Sequence, residues 1–160
     1  MEEKLKVYTV SVLIAVGAGA LAAYLTESGM QSLYATINKP SLAPPAILFP
    51  IVWTVLYFLM GISAGMIWRE KSPEKAVVRR RALIVYALSL AVNFSWCFVF
   101  FGWRSFGLAF VWLLLLLGLI VKTIYEYRKI NLQAAYLQIP YALWVCFAGY
   151  LTCSIWVLNG

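Results

Sequence analysis

Long apolar runs, separated by shorter polar segments, set the hydrophobic pattern of the chain. A transmembrane helix needs roughly 20 apolar residues to cross about 30 Å of hydrocarbon. Because the runs lack the polar alternation of a barrel strand, helices that pair their own backbone groups are the predicted state. The pattern therefore predicts an all-α integral membrane bundle, a single domain over residues 1–160, with five transmembrane helices at about 7–25, 46–68, 82–101, 106–124 and 132–158.

Composition and charge support this fold class and orient it. Hydrophobic residues make up 64% of the chain and charged residues only 12%, which is far from the usual soluble balance. The first run follows Lys4 and Lys6, as a signal peptide would, but its length favours a retained helix. Eleven of the 13 Lys and Arg residues fall on the side of the amino terminus, so the positive-inside rule predicts a cytoplasmic amino terminus.

The net charge of +7 raises the question of an anionic partner. The densest cluster of positive charge, Arg79–Arg81, lies at a helix boundary, where such residues act as topological anchors. We therefore expect the lipid bilayer to be the partner of these side chains, and we expect no nucleic acid.

The chain lacks the residues of conventional acid–base and metal catalysis. It contains no His and no Asp, and its six acids are all Glu, placed in termini, loops or helix ends. A Ser-His pair, an ordinary zinc site and His-ligated haem are therefore excluded. Cys97, Cys146 and Cys153 lie inside apolar runs without CxxC spacing, which predicts buried, inert thiols. We expect no metal site and no required cofactor.

Aromatic residues make up 16% of the chain, and several lie too deep in their helices to belong to an interfacial belt. They recur at helical spacing together with a few distinctive residues, so each set shares one helix face. Two interpretations stay open, aromatic packing between helices and a flat slot for a large planar hydrophobic ligand. The three faces are Phe49, Trp53 and Tyr57 on helix 2, Asn93, Trp96 and Phe100 on helix 3, and Tyr141, Trp144 and Ala148 on helix 5.

Polar and small residues inside the helices leave two further alternatives open. Asn93 is predicted to make either an interhelical hydrogen bond or a ligand contact. Gly61 and Gly65, like Gly19 and Ala23, are spaced four residues apart, which is typical of close helix packing or of dimerisation.

Loop 1, about residues 26–44, is the longest segment without a predicted element, and it carries Tyr34. Loops of this length are commonly functional, so we predict a lid over a ligand site, flexible near Gly29 and stiffened by prolines on its far side. Pro50 is predicted to bend helix 2 shortly after its start.

Three blocks together resemble one protein family. They are "NKPSLAPPAILFPIVWTVLYFLMG" at 38–61, "NFSWCFVFFG" at 93–102 and "PYALWVCFAGYLTCSIWVLN" at 140–159. Their order and spacing are similar to those of the tryptophan-rich sensory proteins, a family that includes the mitochondrial translocator protein, or peripheral benzodiazepine receptor. The resemblance implies a five-helix bundle, usually a homodimer, that binds porphyrins and other flat hydrophobic ligands beneath loop 1. It also implies the bacterial cytoplasmic membrane as the location.

The family's pocket can be carried over by position, and the aromatic faces add Phe49 and Phe100. In bacterial relatives, the tryptophans that correspond to Trp53 and Trp144 are associated with light-dependent porphyrin breakdown. The resemblance therefore implies that these two would be the catalytic residues if degradation occurs. The predicted ligand-binding residues are Tyr34, Phe49, Trp53, Tyr57, Asn93, Trp96, Phe100, Trp144, Phe147 and Ala148.

The chain departs from the family pattern at a few positions. Leu33 and Leu42 stand where family members have tryptophan, which thins the predicted aromatic lid. Thr152 replaces a usual asparagine of helix 5. These departures bear more on photochemistry than on binding.

Three functions follow as hypotheses. The first is a membrane receptor or sensor for porphyrins such as protoporphyrin IX and haem-type tetrapyrroles. The second is a light-dependent porphyrin-degrading enzyme that uses Trp53 and Trp144. The third is a transporter of tetrapyrrole or lipid-like ligands, which the absence of an intramembrane carboxylate for proton coupling disfavours.

Overall fold

A computed structural model of the protein describes residues 2–160, which form six α-helices. A short 3₁₀ turn, Pro73–Lys75, precedes the third helix, and a π-helical segment, Phe98–Gly102, extends it. Within these residues, five helical stretches are long and apolar enough to cross a membrane, which confirms the predicted all-α multi-pass membrane protein. The helices are α1 (Glu2–Tyr34), α2 (Leu48–Trp68), α3 (Ala76–Cys97), α4 (Phe106–Arg128), α5 (Leu132–Leu137) and α6 (Ile139–Asn159).

The helices pack as a closed ring around a shared apolar core. Helix α1 lies between α2 and α3, α4 lies between α3 and α6, and the α5–α6 pair closes the ring against α2. Because successive spans alternate in direction, the α1–α2 and α3–α4 connections lie at the same end as the carboxyl terminus of α6. We call this the distal end and the opposite one the N-terminal end.

Helix α1 continues well beyond its predicted end near residue 25, so most of the predicted loop 1 is helical. The prediction of a flexible hinge near Gly29 is wrong. Gly29 lies inside α1, where a Cβ atom would come within 2.7 Å of the Phe101 carbonyl oxygen. Leu33, one turn further on, is only 2% exposed. The helix persists because this face packs against the π-helical segment, and loop 1 is reduced to residues 35–47.

The predicted fifth helix is interrupted at Gln138, between α5 and α6. Pro140 has no N–H with which to bond the carbonyl four residues earlier, so the helix cannot run through this point unbroken. The buried Gln138 side chain donates to Ser63 Oγ at 3.2 Å, and Ser63 Oγ donates to the Ala134 carbonyl at 2.7 Å. These bonds fasten the break to α2.

Two further sequence patterns take a definite role in the packing. Pro50 is the third residue of α2, where the N–H is unpaired in any helix, so the predicted bend is unnecessary. A Cβ atom at Gly61 would lie 2.5 Å from Val12 Cα, and one at Gly65 would lie 2.7 Å from the Tyr8 ring. The spaced glycines therefore serve the close approach of α1 to α2 within the chain.

Candidate ligand-binding site

The aromatic face of α2 meets that of α6 in the middle of the bundle. Trp53 stacks on Tyr57 with ring centroids 5.5 Å apart, as expected for residues one turn apart on the same face. The Trp53 ring also makes edge contacts with Tyr141 at 6.2 Å and with Trp144 at 6.5 Å. The two helices are thus joined by aromatic contacts.

Tyr34, the last residue of α1, connects this group to the aromatic residues of α3. Its ring lies 6.5 Å from Phe49, which in turn makes an edge contact with Trp144 at 5.9 Å. On the other side, Tyr34 lies 6.4 Å from Phe101. The extension of α1 therefore gives Tyr34 a fixed helical position between the two groups.

The aromatic group of α3 depends on the π-helical segment. Trp96 stacks on Phe100 at 5.0 Å, and Phe101 contacts Trp96 at 6.0 Å and Phe100 at 4.9 Å. An extra residue in the turn changes the rotation between successive side chains, and such π turns are frequent at functional sites. Both phenylalanines are thereby brought into one cluster with the tryptophan.

Asn93 connects three helices beneath these rings. The Tyr57 hydroxyl donates to Asn93 Oδ1 at 3.2 Å, and Asn93 Nδ2 donates to the Tyr141 hydroxyl at 2.6 Å. Asn93 is only 1% exposed, so these bonds satisfy polar groups that cannot reach water. Of the two alternatives for Asn93, the interhelical hydrogen bond is the one observed.

Two indole N–H groups are buried without a hydrogen-bond partner. Among residues 2–160, neither Trp96 Nε1 nor Trp144 Nε1 has an acceptor. By contrast, Trp112 Nε1 donates to Ser95 Oγ at 2.9 Å. A buried tryptophan N–H usually has an acceptor, and an unmet donor costs about 1–3 kcal/mol. The site therefore offers two donors to a molecule that carries acceptor atoms.

The structure brings nearly all predicted site residues together. Phe147 contacts Trp144 at 5.5 Å on the outer edge of the group, and Ala148 is buried in the same core cluster. The list of predicted ligand-binding residues lacks two central members, Phe101 and the fully buried Tyr141, although the sequence analysis placed Tyr141 on the aromatic face of helix 5. We define the aromatic network as Tyr34, Phe49, Trp53, Tyr57, Trp96, Phe100, Phe101, Tyr141 and Trp144.

Leu33 and Leu42, the two leucines that the sequence analysis singled out in loop 1, lie in different surroundings. Leu33 is buried in a small apolar cluster with Phe100 and Ala109. Leu42 is 65% exposed in loop 1. Leu33 therefore contributes packing beneath the network, whereas Leu42 offers apolar area only to a molecule outside it.

The fold and the site together define a small multi-pass membrane protein whose five spans surround an aromatic network. The TspO/MBR family matches residues 10–157, and the chain belongs to this family.

Relatives from animals and bacteria are similar over most of their length. The bovine "Translocator protein" is 37% identical over 143 residues, which cover 88% of this chain and 83% of that protein. The "Tryptophan-rich protein TspO" of Chlorobaculum tepidum is 30% identical over 163 residues, or 99% of both chains. "Protein CrtK" of Rhodobacter capsulatus is 33% identical over 126 residues, covering 79% and 78% of the two chains. The resemblance seen in the sequence blocks is confirmed.

Proposed function

We propose that the protein binds porphyrins or similarly flat hydrophobic molecules at the aromatic network. The observation that carries this proposal is the pair of buried, unpaired indole donors, Trp96 and Trp144, within that network. Simple aromatic packing between helices would leave both donors unmet. A planar ligand with acceptor atoms would satisfy them and would stack on the surrounding rings.

The energetics of the network favour exchange of ring contacts for ligand contacts. Many of the contacts are tilted or edge-on, as at Phe49–Trp144 and Trp53–Trp144. Such pairs contribute about 0.5–1.5 kcal/mol each beyond the area they bury. A large flat ring that separates a few of these pairs would replace their contacts with its own stacking and would bury the ring faces again.

Loop 1 supports entry from the distal end. It starts directly after Tyr34, and Lys39 Nζ lies 4.9 Å from the centroid of the Tyr34 ring. Loop 1 is shorter than the sequence predicted, but it still adjoins Tyr34, which contacts both Phe49 and Phe101. A ligand that separates Tyr34 from its neighbours would therefore displace loop 1 as well.

A titration with protoporphyrin IX in detergent tests this function. The absorption band of the porphyrin reports binding, so variants that lose a tryptophan can be compared directly. Trp144→Leu is expected to weaken binding by about fivefold or more, equivalent to about 1 kcal/mol of stacking. Trp68→Leu, on an exposed residue at the N-terminal end, is the matched control and should bind like the wild type. Equal affinity in both variants would contradict the proposal.

A second candidate function is light-dependent porphyrin breakdown, which the contact between Trp53 and Trp144 favours. Adjacent indoles can share the loss of one electron to an excited porphyrin, and dissolved dioxygen would be the oxidant that then opens the ring. This chemistry needs no acid–base residue. Illumination of the porphyrin-loaded protein tests it. Loss of the porphyrin absorption band should slow in Trp53→Phe and Trp144→Phe and should stay unchanged in Trp68→Phe. Equal rates in all variants would contradict this enzyme function, and the proposal of porphyrin binding would still stand.

A further inference from the structure

A cavity of about 410 Å³ adjoins the aromatic network at the distal end. It lies between the last turns of α1 and the π-helical segment, and the Phe101 side chain separates it from the other rings of the network. Unlike the network, it is bordered by hydroxyl groups and by a cation. Its lining includes Ser28, Gly29, Ser32, Phe98, Phe101 and Arg104.

Arg104 lies just after the π-helical segment and borders this cavity. Its φ is +52°, the left-handed conformation that commonly ends a helix; here it ends the π-helical segment, and the Ser105 N–H donates back to the Val99 carbonyl at 3.2 Å. Its Nη2 donates to Ser32 Oγ at 2.7 Å, and Ser32 Oγ donates to the Gly29 carbonyl at 3.2 Å. Among residues 2–160, no carboxylate lies within ion-pair distance of the guanidinium.

The distribution of charge makes Arg104 more distinctive. Eleven of the 13 Lys and Arg residues lie toward the N-terminal end, where membrane topology accounts for them. The other two, Lys39 and Arg104, lie at the distal end. Both adjoin the aromatic network, Lys39 at the ring of Tyr34 and Arg104 at the cavity that Phe101 borders. Topology gives no reason for this placement, whereas an anionic group on a ligand does.

We propose that the Arg104 cavity binds a carboxylate of the ligand whose flat ring system lies in the aromatic network. The inference rests on the proposed porphyrin site and assigns the acidic side chain of its ligand to Arg104. A guanidinium presents paired N–H donors that match a carboxylate, and Arg104 has only one N–H bond assigned within the chain. The Ser28 and Ser32 hydroxyls border the same space. Phe101 borders both the network and the cavity, so the ring system of such a ligand would lie on one side of Phe101 and its acidic side chain on the other.

The test compares protoporphyrin IX, which carries two carboxylates, with its uncharged dimethyl ester, both titrated in a neutral detergent. The wild-type protein is expected to bind the diacid about tenfold more tightly than the ester, and rising salt should reduce this preference. Arg104→Gln should bind the two compounds equally, and its unchanged affinity for the ester would show that it is folded. Arg128→Gln, which removes one positive charge at the opposite end, is the matched control and should keep the preference.

Each outcome decides between the two proposals. If the wild type binds ester and diacid equally, or if Arg104→Gln keeps the preference, the carboxylate site is overturned while porphyrin binding stands. If Lys39→Gln removes the preference while Arg104→Gln keeps it, the carboxylate binds Lys39, and the assignment to Arg104 is overturned. If the wild type binds neither compound, the proposed function itself fails, and the carboxylate site fails with it.

Discussion

Asn159, the last residue of α6, binds Asn38 of loop 1 through two reciprocal hydrogen bonds. Asn159 Oδ1 accepts from Asn38 N at 2.9 Å, and Asn159 Nδ2 donates to the Asn38 carbonyl at 3.0 Å. The pair spans 121 positions of the sequence and ties the segment after Tyr34 to the end of the last helix. The carboxyl-terminal end of α6 therefore holds loop 1 in place at the distal end of the bundle.

Asn159→Ala is expected to release loop 1 without unfolding the bundle. It removes both hydrogen bonds to Asn38, of about 1 kcal/mol each, together with a bond from Asn159 Nδ2 to the Ile155 carbonyl within α6. Amide exchange at residues 38–44 should therefore accelerate by about tenfold or more. Asn131→Ala is the matched control, because Asn131 caps α5 at the N-terminal end by accepting from Ala134 N at 3.0 Å. Exchange in loop 1 that stays slow in Asn159→Ala would show that something other than this pair holds it.

Asn93→Leu is expected to destabilise the protein because it leaves the Tyr57 and Tyr141 hydroxyls buried without their partner. The expected loss is about 1–2 kcal/mol in the free energy of unfolding, measured by reversible denaturation in detergent. Adding Tyr57→Phe and Tyr141→Phe to Asn93→Leu should recover part of it, since no polar group is then left unmet. Strictly additive losses would contradict a coupled network.

Gly61→Ala is expected to lower the free energy of unfolding by about 1–3 kcal/mol, because the new methyl group would collide with the backbone of α1 at Val12. Gly118→Ala is the matched control, since nothing lies within 4 Å of its Cβ position in α4. Alanine favours helix over glycine, so this variant should be as stable as the wild type or up to about 1 kcal/mol more stable. Equal effects of the two changes on thermal unfolding would argue against close α1–α2 packing.

The connection between α2 and α3 should respond to acid through Glu70. Hydrogen bonds from the Ser72 hydroxyl and N–H, with Lys75 beside the carboxylate, lower the pKa of Glu70 to about 2. Because the folded-state pKa lies below the ordinary 4.5, this carboxylate stabilises the connection above pH 4.5, and the contribution fades as pH falls toward 2.

Carbon NMR of the Glu70 carboxyl group measures this pKa directly. Ser72→Ala should raise it toward the ordinary value, whereas Ser154→Ala, at a half-buried serine of α6 far along the chain, should leave it unchanged. A Glu70 pKa that does not move in Ser72→Ala would show that the hydrogen bonds are not its cause.

The number of spans follows from the sequence, because five apolar runs of membrane length admit few other structures. The ends of the helices do not follow in the same way. Residues 26–34 carry enough polar side chains to resemble a loop, yet Thr26 and Leu33 are buried on a face that packs within the bundle. A hydropathy pattern shows where a helix leaves the hydrocarbon of the membrane, but the helix itself can continue further. Tertiary contacts extend α1 beyond the membrane in this way.

The candidate site was predictable where regular helical spacing holds. Trp53 and Tyr57 stack as their spacing of four indicates. Phe101 was missed because a regular helix would turn it away from Trp96, and only the π-helical segment brings it against both Trp96 and Tyr34. The sequence marks Arg104 only as one of two positively charged residues in the distal loops. Its position at a cavity could not be predicted, because that cavity forms between α1 and the π-helical segment, which are far apart in the sequence.

The central claim, that the aromatic network binds a flat ligand through unmet indole donors, is tested most directly by NMR of the indole N–H groups. The protein has seven tryptophans, so isotope-labelled tryptophan gives a small set of signals that single substitutions can assign. On addition of protoporphyrin IX, the signals of Trp96 and Trp144 should shift or broaden together with that of Trp53, while Trp68 at the N-terminal end stays unchanged. Saturable binding that leaves Trp96 and Trp144 unmoved would contradict the account.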